Sequence, residues 1–191
     1  IYFSKLKWKR KAYTRKEVIA VCGDYDADGM TSTALLINAF KDMECTAIAA
    51  IPDRIQDGYG LNKNMVVKLS KLNVKLIVTV DNGINAYEAI EYANDINIDV
   101  IITDHHQIKN NPPPSLALLH PQRTPDSSPY RCLAGVGIAY ILAFSLAKDI
   151  KKTSSLNKAL DLFCIGTIAD MAPVIDFNRY LLKKGLKSLH K

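Results

Sequence analysis

The chain has no run of about 18 apolar residues, the length needed to cross a bilayer, and its basic start lacks the apolar segment of a signal peptide. Those two absences lead us to expect a soluble, cytoplasmic protein with no membrane partner. It has four cysteines in 191 residues, Cys22, Cys45, Cys132 and Cys164, with no C-x-x-C spacing among them. This argues against a disulfide framework, so the thiols are expected to be reduced, small, buried side chains. No repeat of fixed period is present, which excludes a solenoid. The chain opens on Ile1 rather than Met, so we read it as a fragment of a longer protein. A hydrophobic content of 48% is ample for one buried core.

Charge is the next feature. The net +6 hides an asymmetry: residues 1–16 and 178–191 together carry +12 with no acid, and residues 17–177 carry −6. A basic flank suits nucleic acid, although a solvated helix face has the same composition. We therefore separate a basic extension, residues 1–16, from a folded domain, residues 17–191.

Between these ends, β-branched apolar runs alternate with helical patterns. Strands are expected at 17–23, 46–51, 74–80, 99–103 and 116–119. Helices are expected at 31–43, 63–72, 85–94, 133–152, 156–169 and 178–190, with residues 27–29 as a turn. Strand–helix alternation of this kind predicts an α/β fold. We expect a doubly wound, mainly parallel five-stranded sheet with flanking helices, followed by a helical C-terminal part. Right-handed crossovers place every strand's C-terminal end on one edge, where ligands bind. Three polar clusters fall there: Asp24-Tyr-Asp26-Ala-Asp28, Asp81-Asn82-Gly83 and Asp104-His105-His106.

Three acids at alternate positions repel one another unless a cation lies between them. Asp-x-Asp-x-Asp-Gly also begins a calcium EF-hand loop, but the twelfth position, where that loop needs Glu, is Leu35, and a strand rather than a helix precedes it. A dinucleotide-binding turn would have glycines where these acids stand. A response-regulator-like acidic site leaves the two histidines unexplained. Asp and His together suit Mn²⁺, Mg²⁺, Zn²⁺ or Fe²⁺, and imidazole shifts the balance toward Mn²⁺. Asp170, at the end of an apolar helix, needs a partner if buried. Such a set can hold two cations about 3.5–4 Å apart, with Asp81 on the central strand as a natural bridge, and acidify a water for phosphoester hydrolysis. Adjacent histidines can point two ways, one to metal and one to substrate. Gly135 and Gly137, at a helix start, could serve a phosphate or merely close packing.

These turns resemble the DHH phosphoesterase superfamily, named for Asp104-His105-His106. The nearer likeness is to its RecJ-like branch, single-strand-specific 5′→3′ DNA exonucleases of repair and recombination. It rests on Gly23–Gly29, Pro52-Asp53-Arg54 with Gly58-Tyr59-Gly60-Leu61, Val80–Gly83, Thr103–His106, and Gly166–Pro173, with Asn178-Arg179 and Gly185-Leu186 behind them. The resemblance implies two Mn²⁺ or Mg²⁺ ions. Asp26 and Asp81 would hold one; Asp28, Asp81, His105 and Asp170 the other. Asp24 would support the first site, and His106 would contact the scissile phosphate, so that His106, Asp81 and Asp24 carry the catalysis. Arg54, Tyr59 and Arg179 would face single-stranded DNA, and a single-strand-binding protein or helicase would be a partner of the full-length protein. Cys22 stands where many members have a histidine ligand, which favours the RecJ-like branch over family II pyrophosphatases. The family's second substrate-binding domain and the OB-fold are absent from these residues. Two rivals remain: a DHH phosphodiesterase of short oligoribonucleotides or cyclic dinucleotides, and a degenerate DHH scaffold of a replication complex. The latter has usually lost the ligands that are all present here.

Overall fold

A computed structural model describes residues 17–55, 58–149 and 159–187. The basic extension at 1–16, the segment expected to carry the 133–152 helix to its end, and the start of the next helix lie outside the described residues.

Five strands, β1 (Val18–Cys22), β2 (Ala47–Ala50), β3 (Val74–Val80), β4 (Asp99–Thr103) and β5 (Ala117–Leu119), form one sheet in the order β2-β1-β3-β4-β5. Every pairing is parallel, so the five-stranded, doubly wound expectation holds. The helices are α1 (Ala27–Asp42), α2 (Lys63–Lys71), α3 (Tyr87–Asp95), α4 (Gly135–Asp149), α5 (Ala159–Ala169) and α6 (Asp176–Gly185). One face of the sheet, with Ile19, Val21, Val78 and Val80, packs under α1, α4, α5 and α6 through Leu35, Phe40, Leu142 and Phe163. The other, with Ala20, Cys22, Ile77 and Ile102, packs under α2 and α3 through Val66, Leu69 and Ile90. Strands buried on both faces need continuous apolar runs, and β1, β3 and β4 are such runs. The connection after β1 runs to β2 on one side and the connection after β3 runs to β4 on the other, so the crevice at the C-terminal ends of β1 and β3 is the topological switch point.

Several boundaries differ from the expected ones, each for a local reason. The first helix begins at Ala27, four residues earlier than its pattern suggests, because Asp26 caps it: Asp26 Oδ1 accepts the Gly29 N–H at 2.8 Å. This fits the preference for Asp at N-caps. Gly29 is required there, since a Cβ would come within 2.6 Å of the Asp24 nitrogen. The residues expected to form a turn are thus helical, and Asp28 lies in the first turn of α1. The last helix begins at Asp176, where buried Asn178 donates to the carbonyls of Cys132 and Pro173 at 2.7 and 3.0 Å. All four cysteines are free. Cys22 is fully buried, which pushes its thiol up to about 12 and leaves it a core side chain.

Asn82 joins the elements that bound the crevice. Its amide donates to the carbonyls of Cys22 (3.0 Å) and Val80 (2.9 Å) and accepts the Leu61 N–H (3.1 Å). One side chain thereby locks β1, β3 and the 58–61 loop together. Asn82→Ala strands three buried backbone groups, each worth about 1–3 kcal/mol unpaired, and we expect a loss of about 2–4 kcal/mol in chemical denaturation, attenuated where water enters. A loss below about 0.5 kcal/mol would show that the lock contributes little.

Candidate metal centre

Asp28 is 2% exposed and projects from the first turn of α1 into the start of α4. Its Oδ2 accepts the Gly135 N–H at 2.6 Å and its Oδ1 the Val136 N–H at 2.8 Å. A carboxylate at a helix N-terminus satisfies orphan donors and meets the positive end of the helix dipole. The Gly135 N–H, which the sequence left open to a phosphate, is therefore already used, and the Gly137 N–H donates to the Ala134 carbonyl at 3.0 Å. Gly135 is also needed for close approach: a Cβ there would lie 2.7 Å from the Asp81 Cβ.

Asp81 leaves β3 with φ +61°, a left-handed conformation that Asp tolerates better than most residues. Its N–H donates to the Thr103 carbonyl at 3.0 Å, and its own carbonyl accepts the Tyr59 hydroxyl at 3.1 Å. The carboxylate is buried. Its Oδ1 lies 3.0 Å from His105 Nε2, an ion pair of poor hydrogen-bond geometry. His105 Nε2 also lies 3.8 Å from Asp28 Oδ2. Potential ligand atoms of Asp28, His105 and Asp170 all fall within 4.8 Å of one another, as do those of Asp81, His105 and His106. Carboxylate oxygens and imidazole nitrogens converging this closely are what a cation site provides. The donor set, hard carboxylates with imidazole, fits Mn²⁺ or Mg²⁺.

The two histidines diverge. His106 Nδ1 is 2.8 Å from Asp104 Oδ1, and its backbone N–H donates to the same oxygen at 3.0 Å. Asp104 Oδ2 accepts the Ile84 N–H at 2.9 Å. Although His106 Nδ1 also comes within 4.0 Å of Asp81, its hydrogen is committed to Asp104. Its other nitrogen, Nε2, meets the Tyr59 hydroxyl at 3.5 Å, and the side chain is half-exposed.

Electrostatics separates these acids. Burial, first, raises the carboxyls of Asp24, Asp28, Asp81 and Asp170, and Asp81 is pushed up to about 7. At Asp104 burial also acts upward, but the bonds from His106 and Ile84 outweigh it and the pKa falls. Burial lowers His105, but the carboxylates of Asp81, Asp170 and Asp28 overcome it and hold the ring at about 9. His106 is raised, chiefly by its bond to Asp104. Tyr59 is raised by burial and the surrounding carboxylates, so its hydroxyl stays protonated as a donor.

The structure brings Asp28, Asp81, His105 and Asp170 together and sets His106 beside them. Asp24 is buried, its Oδ1 accepting the Tyr25 N–H at 2.7 Å, and belongs to neither group. Asp26 joins neither triad; it is exposed and caps α1, though its charge reaches Asp81 and Asp170. Arg54 is exposed, 5.3 Å over the Tyr25 ring. Arg179 is exposed on α6 and belongs to neither ligand group. Sequence reasoning missed His120, 2% exposed at the end of β5. Its Nε2 pairs with the His106 carbonyl at 2.7 Å and its Nδ1 accepts the Gln122 N–H at 3.1 Å, while Gln122 accepts the Ile108 N–H at 3.1 Å. Together they clamp the turn after β4. Its place directly after a short strand was the only signal available.

Comparison with known proteins agrees with this geometry. The family described as DHH family, N-terminal domain, matches residues 18–167. The single-stranded-DNA-specific exonuclease RecJ of Bacillus subtilis is 37% identical over 182 residues, covering 95% of this chain and 22% of that protein. A crystal structure of exonuclease RecJ bound to manganese superposes with a TM-score of 0.86 at 34% identity, covering 94% of this chain and 46% of that one. RecJ in complex with Mn²⁺ from Thermus thermophilus gives 0.77 at 32% identity, covering 96% and 27%. The chain spans about a fifth to a third of the length of the curated relatives it matches. No helix among the described residues is long and apolar enough to cross a membrane.

A pH dependence follows. Asp81 and His105 hold protons more tightly folded than unfolded, where their ordinary values are 3.8 and 6.5. Such groups stabilise the fold at low pH and lose that contribution as pH rises through the folded pKa. The metal-free chain should lose stability up to about pH 7 through Asp81 and from about 6.5 to 9 through His105. A cation needs both deprotonated, so Mn²⁺ should stabilise more as pH rises. Thermal denaturation between about pH 6.5 and 8.5 should fall without metal and flatten with it. A His105→Ala variant that keeps the full metal-free slope would contradict this assignment.

Proposed function

The chain belongs to the DHH family, and we propose that residues 17–191 form the metal-binding domain of a RecJ-like exonuclease that hydrolyses single-stranded DNA. The observation that carries the reading is the convergence of buried Asp28 and Asp81 with His105 and Asp170, whose potential ligand atoms fall in two groups sharing His105. RecJ relatives at 34–37% identity support it, one of them solved with manganese. Asp28, His105 and Asp170 would hold one Mn²⁺ or Mg²⁺ ion. Asp81, beside His105, would serve both ions, with Asp26 and Asp24 completing the second. When bound, the cations would supply Lewis-acid stabilisation of the phosphoryl oxygens and an acidified water.

The chain's own residues do the rest. Asp104 fixes the His106 ring through Nδ1 and favours its protonated form, so Nε2 presents a positive donor to the charge that grows on phosphorus. His120 holds the His106 backbone in place. Asn82 and Gly83 keep Asp81 at its angle. Arg54, Tyr59 and Arg179 would meet the DNA strand. Cytoplasmic action, and an encounter with a single-strand-binding protein or helicase, are consequences of this reading.

The test uses the full-length protein with Mn²⁺ on 5′- and 3′-labelled single-stranded DNA and on short RNA. Wild type should release mononucleotides from the DNA 5′ end. Asp81→Ala should abolish both ion sites and lose nearly all activity; near-normal Mn²⁺-dependent activity would refute the assignment. His106→Ala should keep Mn²⁺ affinity and lose about 10²–10³ in kcat, the usual cost of removing one charge-stabilising donor. Preference for the short RNA would favour the oligoribonucleotide phosphodiesterase instead.

A further inference from the structure

Where the chain leaves β3, Asp81 takes a φ of +61°, which a residue other than glycine keeps only where its surroundings over-determine it. Two bonds do so on either side of its Cα. The Asp81 N–H is tied to the Thr103 carbonyl at 3.0 Å. The peptide joining Asp81 to Asn82 is tied at its carbonyl, which accepts the Tyr59 hydroxyl at 3.1 Å. We propose that this hydroxyl is a positioning donor for the cation site, raising Mn²⁺ affinity through Asp81 without touching the ion; the inference rests on the metal reading above.

The bond controls the rotation that matters. With the N–H side of Asp81 fixed on β4, any departure from the left-handed region swings the 81–82 peptide and breaks the bond from Tyr59. The carboxylate hangs on the same Cα, so its placement 3.0 Å from His105 Nε2 follows the backbone. A donor behind a ligand acts in this way: it removes alternative orientations that the ion would otherwise have to select against.

Tyr59 is itself held. The Leu61 N–H donates to Asn82 Oδ1 at 3.1 Å, and Gly60 between them takes a φ of +64°, where an added Cβ would lie 3.1 Å from the Asn82 Cβ. The 58–61 loop is thus seated on the residue that follows Asp81, and that seating delivers the hydroxyl. The ring stands edge-on to Tyr25 and His106, with centroids at 6.4 and 6.1 Å. Because the hydroxyl hydrogen goes to the Asp81 carbonyl, its oxygen keeps lone pairs for His106 Nε2, 3.5 Å away. One side chain therefore meets the turns after both β3 and β4. Half of it stays exposed, so the two roles separate by chemistry: a strand contact needs the ring, and the positioning role needs only the hydroxyl.

Tyr59→Phe removes the hydroxyl and keeps the ring. Mn²⁺ binding to the full-length protein is measured by calorimetry, at a temperature where circular dichroism shows both proteins folded without metal. Binding of single-stranded DNA is measured in EDTA. Tyr59→Phe should bind Mn²⁺ about 10- to 100-fold more weakly, the usual cost of losing a partner behind a ligand, and should bind DNA as wild type does. Its activity should be slow at limiting Mn²⁺ and recover at saturating Mn²⁺, a rescue that damage to the fold or to a DNA contact would not give. Tyr25→Phe, which takes a hydroxyl from the neighbouring ring, should match wild type in both assays. Unchanged Mn²⁺ affinity in Tyr59→Phe, with or without a loss of DNA binding, overturns the positioning role and leaves the metal reading standing. If wild type binds no Mn²⁺, the metal reading fails and the positioning role falls with it.

Discussion

The architecture of this site depends on one carboxylate. Asp28 receives two backbone N–H groups of α4, at 2.6 and 2.8 Å, and so docks the helical C-terminal part onto the first βα unit. Because the docking ion is also a candidate ligand, closing the fold and building the centre are one event. The glycines around it follow from the same approach. Gly135 leaves room for Asp81, and Gly166 leaves room for Thr31 and for Asp28 itself, whose Oδ1 would lie 3.0 Å from an added Cβ. Asp170, four residues beyond Gly166, is delivered to the cluster by the helix so seated.

That arrangement concentrates negative charge in a poorly solvated crevice. Asp24, Asp28, Asp81 and Asp170 are all pushed toward their neutral forms. Asp104 alone among the resolved shifts of these acids moves down, because its oxygens are saturated by N–H donors. This split separates acids placed where a cation would be held from one that aims a histidine. Acids so raised are destabilising when bare, and a divalent ion held among them would offset that cost. The same logic makes His105 hold a proton where a metal would otherwise sit.

Much of this was legible in the sequence. Alternating apolar runs specify β1, β3 and β4, since a strand buried on both faces can be written in few other ways, and parallel topology then assembles the three polar turns at one edge. What escaped was set by tertiary contact. The start of α1 was misplaced because the Asp26 cap and Gly29 packing look, in sequence, like a turn. Gly135 and Gly137 left a phosphate site open beside close packing because the partner of the Gly135 N–H lies 107 residues away. His120 and Asn82 act through backbone groups of other segments, and no local pattern announces such bonds. Asp26 reads as the equal of Asp28 in the motif, yet the N-cap role turns it outward while Asp28 turns in.

The central claim is that the crevice between β1 and β3 holds two divalent cations on these side chains. Anomalous scattering from crystals of the full-length protein grown with Mn²⁺ tests it most directly. The account predicts two peaks, one among Asp28, His105 and Asp170 and one against Asp81, with His106 Nε2 bound to neither. A single peak, peaks elsewhere, or a manganese ion on His106 in place of its bond to Asp104 would contradict it.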